Sequence, residues 1–283
     1  MFRQIATAII YSNIWIASGA ALLTAQTFWV SGIEVNVGLV FFVFFASLAT
    51  YNLQRLLRFN KWWLRATSER LHWLVHSRKS LLSITVLSLI AAGIFALFSL
   101  KPIHLWALFP MTMVAILYAW PFIPSEGGRL ALRDIPGLKI FWIAGSWVAV
   151  TAVLPLLGIT TLSSGWVMLM LERFFFILAI TVPFDVRDLH FDAATKKTIP
   201  QVFGTRRSGW IALSFNALFL VFVLTSFFSD QYNLQITLVL GACGAINATV
   251  LFFSFRQRPE PYYSVVLDGL TILQPAMVFL MSH

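Results

Sequence analysis

Asp185, Asp188 and Asp192 are the residues whose types and spacing most directly suggest chemistry. They stand in the segment Pro183-Phe-Asp-Val-Arg-Asp-Leu-His-Phe-Asp192. In a helix, spacings of three and four put all three carboxylates on one face. Carboxylates held together repel one another and become harder to ionise. A divalent cation relieves that repulsion, and hard oxygen ligands select Mg²⁺ or Ca²⁺. Mg²⁺ commonly binds through one or two carboxylates plus substrate phosphates, so the pattern points to a phosphate-bearing ligand. The rival reading is a solvated helix end whose acids pair with Arg187, Lys196 and Lys197, and exposed pairs of that kind contribute little. The sequence before the three acids is almost wholly apolar, which favours a metal site, because polar residues at membrane depth usually serve function.

The elements that position these acids follow from composition. Of 283 residues, 59% are hydrophobic and only 11% charged, with mean hydropathy +0.82. Soluble domains carry roughly 45–50% apolar and about 25% charged residues. Too few polar residues remain to cover a core of this size with a wettable surface. A cytoplasmic enzyme, a disordered chain and a nucleic-acid-binding domain are excluded, and an all-α integral membrane protein is expected. The net charge of +9 and pI near 10.1 would suggest a nucleic-acid partner in a soluble protein. Here the basic residues lie between apolar runs and act on orientation instead. Cys243 is the single cysteine, so no internal disulfide or CxxC metal site exists. The first apolar stretch, from Ile5 to Val30, is longer than the core of a secretory signal peptide.

Breaks at charged or Pro/Gly-rich clusters divide the chain into nine apolar windows: 5–30, 37–56, 80–99, 105–123, 138–158, 166–186, 209–228, 233–254 and 262–281. Each is about as long as the roughly 20 residues that cross the hydrocarbon core. Backbone groups cannot stay unpaired in lipid, so each window is a helix. With the N-terminus cytoplasmic, 18 of the 20 basic residues fall on the inner side, leaving only Lys101 outside and Arg173 within the sixth span. That asymmetry predicts nine helices, N-terminus in and C-terminus out. It puts the three aspartates at the inner mouth of the sixth span. No internal repeat interrupts the pattern, and residues 1–283 read as one transmembrane domain.

Asp185-Val-Arg-Asp188-Leu-His-Phe-Asp192, followed by Lys197-Thr-Ile-Pro-Gln-Val-Phe-Gly204, resembles the second aspartate-rich motif and Lys-Thr-x-Pro…Gly tail of the UbiA superfamily of intramembrane prenyltransferases. Nine spans with the N-terminus inside agree with that family. So does Leu117-Tyr-Ala-Trp-Pro-Phe122, which is similar to the family's tyrosine before a basic inner loop. The resemblance implies transfer of a prenyl group from its diphosphate to a lipophilic, aromatic acceptor of the kind used in quinone biosynthesis, with Mg²⁺-assisted loss of pyrophosphate at the cytoplasmic side. It implies Asp185, Asp188 and Asp192 as metal ligands, Asp188 and Asp192 also as catalytic residues. Asn52, Tyr118, Arg133, Lys139 and Lys197 become the expected substrate-binding residues. The implied partners are a prenyl diphosphate, the acceptor and membrane lipid.

One half of the family's pattern is different. Its first motif, NxxxDxxxD near the end of the second span, reads here Asn52-Leu-Gln-Arg-Leu56-Leu-Arg-Phe-Asn60. Asn52 is kept, and Leu56 and Asn60 stand where the aspartates are expected. Arg55, one turn from Asn52, could then contact the diphosphate directly as a bidentate cation, and is a third expected catalytic residue. The alternative is a catalytically silent protein that binds a polyprenyl lipid or a partner. Arg58 reads equally as a side chain reaching toward anionic headgroups. Glu69, His72 and His76 read as an interfacial helix. The pair Glu172-Arg173 is expected to pair with its neighbours, and Asp268 to cap the ninth span, or else to reach the same polar mouth. A transporter would need polar residues in the span centres, which offer only scattered amides such as Asn13, Asn216 and Asn247.

Overall fold

The computed structural model describes residues 2–57, 73–74, 76–125, 128–158, 164–189 and 197–282. Arg58, Asn60, Glu69, His72, Asp192 and Lys196 lie outside the described residues.

The apolar windows become helices, in the order α1 (Phe2–Tyr11), α2 (Ile14–Val30), α3 (Val37–Leu57), α4 (Arg78–Ser99) and α5 (Pro102–Ala119). After a short ribbon of β1 (Ile123–Ser125) and β2 (Gly128–Leu130) come α6 (Lys139–Leu156), α7 (Ser164–Asp188) and α8 (Ile199–Phe203). Then follow α9 (Thr205–Phe228), α10 (Leu234–Phe253) and α11, a π-helical turn at Tyr262–Leu267 running into Asp268–Ser282. Among the described residues, eight of these helices are long and apolar enough to cross a membrane, and α2, with 17 residues, is shorter.

Three expectations are corrected. The window 5–30 is not one helix: Asn13 takes a left-handed conformation, φ 66°, and separates α1 from α2. Asparagine tolerates that conformation better than other residues with a Cβ. The fifth helix starts at Pro102, whose missing N–H costs nothing in a first turn, and ends at Ala119. Trp120 is extended because Pro121 follows it, so the helix cannot run to 123. Asp268 does not cap the last span, because the π-helical turn makes the helix continuous through it.

The bundle closes around α7, of whose span window 61% is buried. Helices α6 and α9 flank α7, and the ring continues from α9 through α10 and α11 to α2, which also packs against α6. Helix α3 joins on α2 and carries α4 on its far side. The approach of α2 to α11 depends on Gly19, where a Cβ would overlap the buried Thr271 side chain. Large apolar side chains face outward all round, including Leu97, Phe98 and Trp106, each about four-fifths exposed or more. Only lipid makes that surface stable. The chain is therefore a multi-pass membrane protein.

Candidate active site

The site is built where the last turn of α7 meets the first turn of α6. Pro183 has no N–H to give to Ala179, which loosens α7 one turn before the acids. Gly137, at φ 74°, makes the tight turn that starts α6 at Lys139. The Lys139 ammonium lies 2.7 Å from Asp185 Oδ1 and 3.9 Å from Asp188 Oδ2. The Asp185 side chain is 2% exposed, so this contact neutralises a carboxylate that water scarcely reaches. Arg187 holds Asp188 with both arms of its guanidinium, Nε at 2.7 Å and Nη2 at 3.2 Å. It lies over the rings of Phe184 and Tyr263, and its Nη1 is 3.5 Å from Glu260. Asp268 lies within electrostatic reach of Arg187, so α11 brings an acid near this mouth, the second of the two places the sequence offered for it.

A narrow cleft opens beside this cluster, lined by Arg133, Gly137, Lys139, Ile140, Asp185, Thr198 and Ile199. Three of the sequence-derived residues, Arg133, Lys139 and Asp185, thus meet on one surface. Arg133 is tethered loosely, Nε 3.7 Å from Asp134, and that nitrogen makes no hydrogen bond. Thr198 is a residue the sequence reading passed over. It is 4% exposed and its hydroxyl lacks a partner, and its signal was present in the Lys197-Thr198-Ile-Pro200 tail. Lys197 itself is exposed and left-handed, φ 46°.

The other flank is formed by α3. Asn52 is fully buried and accepts a 2.6 Å hydrogen bond from Asn13, the residue that breaks α1 from α2. The Asn52 Nδ2 has no partner. Arg55 Nη1 donates to the Tyr11 carbonyl at 2.7 Å, where a cation suits the unsatisfied end of α1. One nitrogen of the side chain expected to meet a diphosphate thus secures a helix terminus. Tyr51 accepts from Trp147 Nε1 at 3.1 Å, which ties α3 to α6. Tyr118 and Asp268 lie within electrostatic reach of Tyr51.

Metal binding can be tested against this geometry. Among the described residues no group of three His, Cys, Asp or Glu side chains could hold an ion. Two carboxylates of the expected set, Asp185 and Asp188, do converge on one cation, the Lys139 ammonium. Two hard oxygen donors beside a cleft that carries Arg133, Lys139 and Thr198 suit one Mg²⁺ that completes its shell with water and phosphate oxygens.

The sequence matches no family model, and no curated protein matches it. Solved structures do. A UbiA homologue from Archaeoglobus fulgidus bound to GPP and Mg²⁺ superposes with TM-score 0.65 at 11% identity, over 97% of this chain and 98% of that one. The same homologue bound to DMAPP and Mg²⁺ gives TM-score 0.63 at 12% identity, with the same coverage. A digeranylgeranylglyceryl phosphate synthase gives TM-score 0.57 at 14% identity, over 99% of both chains. Such low identity speaks for architecture and not for chemistry, and the architecture agrees from end to end: this chain has the fold of the UbiA homologues.

Proposed function

We propose that the protein is an intramembrane transferase that moves a prenyl group from a prenyl diphosphate to a lipophilic acceptor. The observation that carries this reading is the meeting of Asp185, Asp188, Lys139, Arg133 and the unpaired Thr198 hydroxyl around one cleft at the end of the central helix. Structural neighbours of the same fold bind GPP or DMAPP together with Mg²⁺, which supports the choice of ligand. The matched length, 96–99% of this chain, supports a single domain. The basic residues gathered at the loops of one side support a cytoplasmic mouth, a cytoplasmic N-terminus and a C-terminus outside.

In this reading Arg133 and Lys139 bind diphosphate oxygens, with Thr198 donating a hydrogen bond and Lys197 adding charge at the rim. Asp185, Asp188 and Asp192 would hold Mg²⁺, which stabilises the charge that develops on the leaving diphosphate. Arg187 keeps Asp188 in a fixed orientation. Asn52 and Arg55 hold the α1–α2 break against α3, and so shape the mouth from the other side. Aromatic faces at Tyr51, Tyr118 and Trp147 favour an allylic cation, and the closed bundle keeps out water that would quench it.

The test is pyrophosphate release by the purified protein from a panel of prenyl diphosphates with lipophilic aromatic acceptors, in Mg²⁺ and in EDTA. Release that needs Mg²⁺ and is lost in Asp188→Ala and Asp192→Ala supports the transferase. Turnover retained in both variants overturns the metal role. One observation favours a second reading: Leu56, an apolar residue, stands where a carboxylate is expected. A catalytically silent binder predicts saturable binding of a prenyl diphosphate without pyrophosphate release.

A further inference from the structure

A second concentration of polar groups lies at the opposite end of α7. Glu172 and Arg173 have no exposed surface at all. They stand twelve residues before Asp185 or more, roughly 18 Å along the helix at 1.5 Å per residue. Arg173 Nη1 donates to the Leu23 carbonyl at 3.0 Å and to Thr151 Oγ1 at 3.1 Å, and Nη2 to Gln26 Oε1 at 3.4 Å. Gln26 Oε1 also accepts from Gln274 Nε2 at 3.5 Å. Glu172 Oε2 accepts the Tyr232 hydroxyl at 2.8 Å. The cluster thus joins α2, α6, α7, α11 and the turn between α9 and α10.

Two features separate it from a structural ion pair. Consecutive residues of a helix project roughly 100° apart, and no direct ion pair joins Glu172 to Arg173 among the described residues. Two opposite charges are buried without touching. In addition, four buried atoms have no hydrogen-bond partner: the donors Arg173 Nε and Gln26 Nε2, and the acceptors Glu172 Oε1 and Gln274 Oε1. Each unmet group costs free energy in an apolar bundle, and a half-satisfied network is worse than an apolar core. The two glutamines meet through Gln26 Oε1, which also accepts from Arg173, so all three side chains belong to one network.

The chemistry of a fitting occupant follows from the unmet groups. An anion would face Glu172, a cation would face Arg173, and an apolar group would leave all four atoms unpaired. A small neutral molecule that both donates and accepts meets every requirement, and gaps between buried polar groups that exceed hydrogen-bond distance are ordinarily bridged by water. We propose that Gln26, Glu172, Arg173 and Gln274 form a buried hydration site, in which one or more ordered waters bridge the Glu172 carboxylate and the Arg173 guanidinium. The site is separate from the Asp185 mouth and does not depend on the transferase reading.

The experiment is an experimental density map of the full chain in lipid nanodiscs, at a resolution that places waters. The expected result is a solvent peak within hydrogen-bond distance of Arg173 Nε or Gln26 Nε2 and also of Glu172 Oε1 or Gln274 Oε1. Ordered side chains with no such peak, or Glu172 closed directly onto Arg173, would overturn the proposal. A second measurement is X-ray radiolytic labelling in ¹⁸O-water, because hydroxyl radicals formed from a trapped water mark its neighbours. Tyr232 should take up ¹⁸O severalfold faster than Phe176 and Phe219, which are similarly buried among apolar side chains. Equal, slow labelling of all three would count against a trapped water. Where the double variant Glu172→Leu/Arg173→Leu folds, Tyr232 labelling should fall to the level of those phenylalanines, and unchanged labelling would contradict the assignment.

Discussion

Replacing Lys139 by methionine tests the construction of the mouth most directly. The substitution keeps an unbranched, flexible apolar stem one atom shorter and removes one positive charge 2.7 Å from Asp185 Oδ1. Asp185 is 2% exposed and so cannot turn to water for compensation, while Lys139 is 18% exposed. Removing one partner of a buried pair costs about 3–5 kcal/mol, chiefly because the other charge is stranded. Partial exposure of the lysine puts this case at the low end, about 3 kcal/mol. The second carboxylate, Asp188, keeps Arg187 and loses only the longer 3.9 Å contact. The variant should therefore unfold at lower temperature than the parent in EDTA. It should recover part of the loss in Mg²⁺, because the space between the two carboxylates then accepts a divalent ion.

The assay is thermal unfolding in detergent, followed by intrinsic fluorescence of the 11 tryptophans, at several Mg²⁺ concentrations. At ten times the dissociation constant the ion returns about 1.4 kcal/mol. The parent protein should respond to Mg²⁺ less than the variant, since its ammonium already occupies that position. Lys139→Arg, which keeps the charge, should stay near the parent. A methionine variant as stable as the parent, with no Mg²⁺ response, would refute the claim that Lys139 compensates Asp185.

Asp188→Asn should cut prenyl-diphosphate turnover by about a hundredfold or more, the scale of losing one electrostatic stabiliser, measured as pyrophosphate release in saturating Mg²⁺. Asn52→Ala strands Asn13 Nδ2 in a buried setting and should destabilise by about 1–3 kcal/mol; a double-mutant cycle with Asn13→Ala should give a coupling clearly different from zero in unfolding experiments. Gly19→Ala puts a Cβ into Thr271 and should cost about 1–3 kcal/mol through overpacking, read as a lower unfolding midpoint that Thr271→Ser leaves and Thr271→Gly relieves.

The spans were legible because length and apolarity are set by the lipid core, which acts on every window alike. The break at Asn13 was not, because one small polar residue in an apolar run reads the same whether the helix continues or turns. The π-helical turns at Ala149–Val153 and Tyr262–Leu267 insert a residue into the hydrogen-bond ladder without any change of composition. At the mouth, the Asp185–Asp188 spacing announced itself, because three and four are helical intervals. The pairing of Lys139 with Asp185 spans 46 residues, and nothing in either segment names the other. Arg55 makes a contact that the sequence did not name: its Nη1 meets the Tyr11 carbonyl at the α1–α2 break, 44 residues away. The depth of Arg173 was hidden as well, since a lone charge near a window's end looks like an interfacial residue until its neighbours are known.

These pairings bear on how one aspartate motif can serve where the resemblance led to an expectation of two. A pair of aspartate motifs gathers enough negative charge to import metal ions, and those ions then hold the diphosphate. Here the remaining acids are largely spoken for, Asp185 by Lys139 and Asp188 by Arg187. A diphosphate that enters the cleft competes with Asp185 for the Lys139 ammonium. If the lysine turns to the phosphate, Asp185 loses the 2.7 Å contact with a cation in a place that water scarcely reaches, and that loss is costly unless another cation arrives with the ligand. The proposed transferase would thus couple binding of the diphosphate to binding of one Mg²⁺ through Lys139, each lowering the cost of the other. In the proposed transferase, Lys139 and Arg133 supply positive charge that the first motif would otherwise recruit as metal, so a leucine at position 56 is compatible with prenyl transfer.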